Sequence, residues 1–307
     1  LREPSALVRV SPSQVESYDR CSLRWLLEQS GGRASSSSAQ GLGVLIHELA
    51  EQEPEGDETR LNKLLEARFD RLGLGSGWVA DAERARARKM VGRLAQYVAA
   101  ARAAGRKLVA TEETVRVQVG RAQVRGMVDR LEQDSEGRLV IVDLKTGKSA
   151  PAKAEVQRNA QLGVYQLAVE EGGFAKLVEG SGMAESLAAK LPPGPAEELP
   201  LGPDRAQDQA LDRAQDQAQE PGRIRPSNES GGAILAQLGK NDNAKVSVQQ
   251  QPALSEDEDP RWARSLLAGV ADGMAGHAFE AKTNGMCRMC ALRRSCPLQT
   301  EGRQVGQ

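Results

Sequence analysis

Residues 123–145 read QVRGMVDRLEQDSEGRLVIVDLK, and this stretch decides the fold. Its two apolar segments are typical of β-strands, and the polar residues between them end on a glycine that suits a hairpin turn. If the loop comprises the three residues 135–137, Asp129 on the first strand falls directly opposite Asp143 on the second. A four-residue loop would instead turn the two carboxylates to opposite faces. We predict the three-residue loop, and therefore a pair of facing acids.

Asp143 and Lys145 follow an apolar strand and are two residues apart, so their side chains point to the same face. Two adjacent carboxylates repel each other unless a cation lies between them, and oxygen ligands favour Mg²⁺ or Mn²⁺. A lysine beside that ion can orient a water molecule and stabilise the charge that accumulates on a phosphate under attack. The pattern Asp-x-Lys is weak evidence alone, because such pairs occur on many exposed strands. Asp129 opposite Asp143 strengthens it.

Three further polar residues lie on predicted helices. His47 lies in the helical pattern of residues 41–52, on a face predicted to include Val44, where a histidine is more often a buried structural residue than a metal ligand. Gln161 and Tyr165 are four residues apart in the helical pattern of 158–169 and therefore share a face. That face either contacts a polar site or combines surface and core packing.

The four cysteines are split between the two ends of the chain: Cys21 near the start, and Cys287, Cys290 and Cys296 spaced C-x2-C-x5-C. Four thiolates are the ligand set of one iron–sulfur cluster. A zinc site is the alternative, but structural zinc usually binds two closely spaced cysteine pairs, and Cys21 is distant in sequence from the other three. The spacing therefore favours a cluster that joins the ends of the chain.

The composition describes an ordinary globular chain of 307 residues with a formal net charge of -1. This length predicts one domain over 1–307. The net charge excludes a uniformly basic nucleic-acid coat, but a local basic run, Arg84 to Arg93, is either a solvated helix face or a phosphate contact. The sequence has neither an apolar run of the roughly 18 residues that a membrane span needs nor a signal peptide. We expect a cytoplasmic protein with no membrane partner. Since the chain begins with Leu1, we also expect it to be a piece of a longer polypeptide or a processed product.

The order of sequence patterns predicts an α/β fold. Helices are expected at about 60–72 and 80–104, and strands at 114–119, 123–131, 138–144 and 232–238. Within this order, 110–175 form the predicted catalytic core, and 1–40 and 280–298 are the segments joined by the cysteines. Residues 178–230 contain the tandem repeat DRAQDQAL-DRAQDQAQ and few large apolar side chains, which predicts a disordered or loosely helical insertion.

Six motifs occur in a fixed order along the chain. They are Ser11-x-Ser13 before Cys21, Gly43-x3-His47, Gly126-Met-Val-Asp129-Arg130, Val142-Asp143-Leu-Lys145-Thr-Gly147, Gln161-Leu-x2-Tyr165 and the C-x2-C-x5-C-Pro run that ends at Pro297. In this combination the chain resembles the PD-(D/E)XK nuclease domain of the RecB and AddB type, with close actinobacterial relatives. The resemblance covers about 10–175 and 230–298. Ser22 departs from it, because proline commonly follows the first cysteine in that family.

The resemblance implies a restriction-endonuclease-like core, with a central mixed sheet flanked by helices, and a role for each motif residue. His47, Asp129, Asp143 and the backbone carbonyl of Leu144 would bind Mg²⁺ or Mn²⁺, and Lys145 would assist the attacking water. Gln161 and Tyr165 would support the active site. The four cysteines would bind a structural 4Fe–4S cluster.

The implied function is exonuclease or endonuclease hydrolysis of single-stranded DNA during the processing of double-strand breaks, at the bacterial nucleoid. A helicase motor would be supplied by the same polypeptide or a partner subunit, since the chain has no G-x4-G-K-[ST] run. The alternative is a catalytically silent DNA-binding or scaffolding module with the same fold. Silent copies usually lose one of the site residues, whereas His47, Asp129, Asp143 and Lys145 are all present.

Overall fold

The structure, a computed structural model, describes residues 6–31, 38–175, 177, 228–240 and 245–303. The predicted insertion over 178–230 lies outside the described residues except for 228–230. The strands are β1 (Val8–Val10), β2 (Lys107–Val119), β3 (Ala122–Gln133), β4 (Leu139–Lys145), β5 (Ser230–Gln237) and β6 (Ser247–Gln251). The helices are α1 (Pro12–Arg20), α2 (Ser22–Gln29), α3 (Ser38–Gln52), α4 (Glu58–Arg68), α5 (Trp78–Ala103), α6 (Lys153–Gln157), α7 (Ala160–Glu170), α8 (Trp262–Ala275) and α9 (Thr300–Arg303). No helix in these described ranges is long and apolar enough to cross a membrane.

The six strands form one mixed sheet in the order β1-β3-β4-β5-β6, with β2 paired to β3. The β1–β3 and β4–β5 pairs are parallel and the others antiparallel. On one edge β3 pairs with β2 along most of its length. On its other edge it pairs first with β1, at 122–124, and later with β4, at 130–133. This mixed sheet flanked by helices confirms the predicted α/β class.

The first four residues of β4, Leu139 to Val142, are apolar because helices cover both faces of this strand. Val140, Val142 and Leu144 pack with α3, α4 and α5 on one side of the sheet. Leu139 and Ile141 pack with α7 on the other side. The Asp143-Leu144-Lys145 segment at the end of β4 therefore follows residues that are buried on both faces of the sheet, which holds its backbone in place.

The β3–β4 hairpin has the predicted register. Gln133 pairs with Leu139 and Arg130 with Val142, so the same register places Asp129 opposite Asp143. The loop is closed by the Asp134 N–H, which donates to the Arg138 carbonyl at 3.0 Å. Gly137 has φ 85°, a left-handed conformation that glycine adopts without steric cost. The prediction of a three-residue loop is confirmed.

The helix predicted over 158–169 is confirmed with a slightly later start. It is α7, which begins after Asn159, whose side chain accepts a hydrogen bond from the Leu162 N–H, and it is separate from α6, which ends at Gln157. This cap begins a new helix. In α3 the face that was predicted to carry Val44 and His47 is not the core face, since Val44 is 59% exposed while the neighbouring leucines and isoleucine enter the core. The apolar residues of α3 fit two overlapping faces of the helix, and the face with more large apolar side chains packs into the core.

The basic run on α5 is used within the protein. Arg84 and Arg88 form ion pairs with Glu66 on α4, at 3.2 and 2.7 Å. Arg86 and Arg93 donate to backbone carbonyls that follow β4 and β5, at 2.9 and 2.6 Å. The structure therefore favours a helix surface tied to its neighbours over a phosphate contact.

The helices α7 and α8 are in close contact at Gly163. A Cβ atom added to Gly163 on α7 would lie 2.3 Å from the Trp262 ring on α8. We expect Gly163→Val to lower the free energy of unfolding by about 1–3 kcal/mol, because the two helices would have to move apart. Urea denaturation measures this. Gly269→Ala, on α8 with nothing within 4 Å of its added Cβ, is the control and should not destabilise. Equal midpoints for both variants would contradict the prediction.

Candidate active site

Asp129 lies on β3 where that strand faces α3. Its Oδ2 accepts a hydrogen bond from the Leu144 N–H at 2.6 Å, and its Oδ1 is 3.4 Å from Nδ1 of His47. The backbone of β4 thus orients the carboxylate, and α3 presents the imidazole to it. The structure brings these two sequence-predicted residues together.

Glu112 on β2 is a site residue that the sequence analysis missed. Its Oε1 is 3.6 Å from His47 Nδ1, and His47, Glu112 and Asp129 each offer a ligand atom within 4.8 Å of the others. Thr111 pairs with Arg130, so the β2–β3 register places Glu112 opposite Asp129. The predicted strand began at Thr114. Extending the hairpin pairing back by two residues would have indicated Glu112.

The backbone of Glu112 is strained. Its φ is 47°, and it is the one non-glycine residue with positive φ in the part of the chain that the structure describes. Such a conformation costs free energy and persists only where the surrounding structure imposes it. The strain occurs at the residue that turns a third ligand group toward His47 and Asp129.

The charges of this group favour a cation. Burial alone would lower the pKa of His47, but hydrogen bonds and attraction from Asp129 and Glu112 outweigh it and raise that pKa to about 10. The two carboxylates thus favour a positive charge beside them, which a proton on His47 supplies and which a divalent ion could supply once that proton is lost. Two carboxylate oxygens and one imidazole nitrogen are donors that a divalent metal accepts, so the residues present fit Mg²⁺ or Mn²⁺.

Asp143 forms a separate polar cluster with Lys145 and Gln161. The Lys145 Nζ lies 2.8 Å from Asp143 Oδ2 and donates to Gln161 Oε1 at 3.0 Å, while Gln161 Nε2 donates to Asp143 Oδ1 at 3.0 Å. Burial raises the pKa of Asp143, and Lys145 opposes that increase. Lys145 thus neutralises a carboxylate that would otherwise be costly to bury.

The predicted metal ligands are only partly brought together. Among the described residues, the group whose ligand atoms lie within 4.8 Å of one another is His47, Glu112 and Asp129, without Asp143. Leu144 contacts Asp129 through its N–H. The metal-binding roles of Asp143 and of the Leu144 carbonyl stay predictions.

Tyr165 supports β3 from the other side of the sheet. Its hydroxyl donates to the Met127 carbonyl at 2.7 Å. Met127 lies between the stretch of β3 that pairs with β1 and the stretch that pairs with β4. Tyr165 therefore satisfies a carbonyl two residues before Asp129, and Gln161, on the same helix, contacts Asp143 and Lys145.

The four cysteines line one cavity although they come from opposite ends of the chain. Cys21 is buried, and the other three are partly exposed. Beside them, Ser22 Oγ and the Leu23 N–H donate to the Glu280 carbonyl, each at 3.1 Å. All four cysteines belong to the described residues, and no three of their sulfurs lie within 4.8 Å of one another.

Comparison with protein-family models decides the family. The model of the PD-(D/E)XK nuclease superfamily matches residues 9–297. The chain belongs to the PD-(D/E)XK nuclease superfamily. Asp129 and the Asp143-Leu144-Lys145 segment match the acidic and lysine elements of that name, whereas Val128 stands where the name has proline. Membership of this nuclease superfamily implies phosphodiester hydrolysis.

The other comparisons add less to the PD-(D/E)XK assignment. Among solved structures, the crystal structure of SSO0001 is similar, with 11% sequence identity and a TM-score of 0.38, covering 97% of this chain and 89% of that one. A search of curated proteins finds no match. The superfamily assignment therefore rests on the family model.

Proposed function

We propose that this PD-(D/E)XK nuclease hydrolyses phosphodiester bonds in single-stranded DNA with Mg²⁺ or Mn²⁺, chiefly as an exonuclease. The observation that carries the proposal is the convergence of His47, Glu112 and Asp129 beside the Asp143–Lys145 pair. One group of residues is suited to bind a cation, and its neighbour offers a positively charged amine. Both can stabilise the negative charge that accumulates on a phosphodiester under attack.

The contacts of these residues support a different role for each group: one binds the metal ion, and the other stabilises charge on the phosphate. A divalent ion bound by His47, Glu112 and Asp129 would act as a Lewis acid on a phosphate oxygen. The Leu144 N–H keeps Asp129 turned toward the ion site. Gln161 contacts both Asp143 and Lys145, so it holds the ammonium group where charge develops on the phosphate.

We further propose that the chain is the nuclease module of a helicase–nuclease that processes DNA breaks, with the motor in the same polypeptide or a partner subunit. The support is the order of motifs from Ser11 to Pro297, which resembles the RecB and AddB type. The alternative, a silent scaffolding module, is disfavoured because Lys145, Asp143 and Asp129 are all present and in contact with neighbouring site residues.

We propose that the cysteine cavity holds a structural 4Fe–4S cluster. In a closed tetrahedral zinc site the four sulfurs would lie about 3.8 Å apart, given zinc–sulfur bonds of about 2.3 Å. The sulfurs of Cys21, Cys287, Cys290 and Cys296 form no such compact group. A cluster in which each thiolate binds a different iron spreads its ligands more widely, and a shared cavity of four cysteines fits that arrangement.

Digestion of an end-labelled single-stranded oligonucleotide tests the proposed function. We expect cleavage with Mn²⁺ or Mg²⁺ and none with EDTA. Glu112→Gln should raise the Mn²⁺ concentration needed for half-maximal cleavage by at least 10-fold, because it removes one anionic ligand. Glu48→Gln, one residue after His47 on the exposed side of α3, is the matched control and should behave as wild type.

Two outcomes would contradict the proposal. If the wild-type protein leaves the oligonucleotide intact at every metal concentration, the silent-module alternative gains support. If the Glu112→Gln and wild-type proteins need the same Mn²⁺ concentration, Glu112 is not a metal ligand and the proposed three-residue site is wrong.

A further inference from the structure

Three exposed arginines lie on the outer face of the sheet: Arg9 on β1, Arg116 on β2 and Arg125 on β3. Arg116 and Arg125 are directly opposite each other in the β2–β3 pairing. Arg9 pairs with Gln123, two residues from Arg125 on the same face. We call these three residues the arginine patch.

The arginine patch has unbalanced charge. Within the described ranges, none of the three arginines has an acidic partner or a hydrogen-bond acceptor, although the arginines of α5 are paired with acids or carbonyls. Like charges directly opposite each other on neighbouring strands are destabilising. An anion bound between the arginines removes this like-charge repulsion. Arginine binds phosphate oxygens with two parallel hydrogen bonds.

The face that carries the arginine patch leads to the metal-binding group. Every second residue of the hairpin is exposed on this face: beyond Arg116 and Arg125 come Thr114 and Met127, which pair with each other. The next positions in the same alternation are Glu112 and Asp129. Four residues of β-strand span about 13 Å, which separates the patch from the acids.

We propose that the arginine patch binds the phosphate backbone of the single-stranded DNA that leads to the cleavage site. This inference rests on the proposed function and deepens it by assigning a substrate-binding surface. Phosphate contacts carry no base sequence information, so the patch would bind any sequence. Met127, 52% exposed between the arginines and the acids, offers an apolar surface to an unstacked base.

The salt dependence of DNA binding tests the arginine patch. Fluorescence anisotropy of a labelled oligo(dT) would be measured in EDTA, without cleavage, from low to high NaCl. We expect Arg116→Gln/Arg125→Gln to reduce the slope of log K against log salt by about 1.4, because each phosphate contact in single strands contributes about 0.7. At 0.1 M salt the same loss corresponds to binding weakened by about 25-fold.

Two further double variants test whether the change in slope is specific to the arginine patch. Lys63→Gln/Lys89→Gln removes the same charge from exposed positions on α4 and α5 and should change the slope little. Arg116→Lys/Arg125→Lys retains the charge and should retain most of the slope. The thermal midpoint of the double glutamine variant should equal or exceed that of wild type, since a like-charge pair is removed.

The outcomes separate this inference from the proposed function. Equal slopes for wild type and Arg116→Gln/Arg125→Gln would overturn the patch even if digestion is normal. An equal loss of slope in Lys63→Gln/Lys89→Gln would overturn it as well. A wild-type protein that does not bind oligo(dT) would also overturn it. Specific loss of binding in a protein that never cleaves would support the patch and refute the nuclease proposal.

Discussion

Replacing Lys145 with methionine is expected to lower the rate of single-strand cleavage by about 100- to 1000-fold, the usual cost of removing one preorganised group that stabilises transition-state charge. The methionine keeps most of the apolar stem and loses the ammonium group that contacts Asp143 and Gln161. Initial rates on an end-labelled oligonucleotide at saturating Mn²⁺ measure the effect.

Mn²⁺ binding gives the control readout for Lys145→Met. Lys145 is outside the group formed by His47, Glu112 and Asp129, so Mn²⁺ affinity measured by calorimetry should change little. Lys148→Met, at an exposed lysine three residues later, should cleave like wild type. If Lys145→Met cleaves at the wild-type rate, the amine has no catalytic role and the proposed division of work is wrong.

Cys21→Ala is expected to destabilise the whole protein. In the ideal-chain treatment, joining residues this far apart in sequence contributes about 5 kcal/mol, and strain or residual structure in the unfolded state reduces that value. Loss of one ligand should release the proposed cluster and leave only non-covalent contacts between the chain ends, such as those of Ser22 with Glu280 and of Asn284 with Arg20. Thermal unfolding and iron content of the anaerobically purified protein measure both effects.

Met289→Ala provides the matched control, because this side chain is 73% exposed between two of the cysteines. It should retain iron and the wild-type unfolding temperature. An iron-free Cys21→Ala protein with unchanged thermal stability would show that the cavity has no structural role.

The hairpin that carries the acids could be predicted because local chemistry determines it. The polar loop and Gly137 set the turn, and the turn sets the register of Asp129 against Asp143. The place of Glu112 in the site could not be predicted from the local sequence in this way. Glu112 adjoins another glutamate, in a segment where few residues alternate clearly, and its position depends on pairing with β3 and on an unusual backbone conformation.

Tertiary pairing also decided what the basic run on α5 does. The sequence gives no sign that Glu66 on α4 would accept Arg84 and Arg88, since that depends on how two helices pack. The sequence analysis also missed the arginine patch, because the patch depends on tertiary structure. Arg9, Arg116 and Arg125 are scattered along the chain, and only the order of strands collects them on one face.

The left-handed backbone at Glu112 has a consequence for how this protein can change. A glycine there would relax the main chain and be favourable for folding, yet it would remove one of the three groups gathered near His47. Selection for stability and selection for turnover therefore oppose each other at this one position. A more heat-resistant descendant that remains an enzyme would have to gain its extra stability elsewhere.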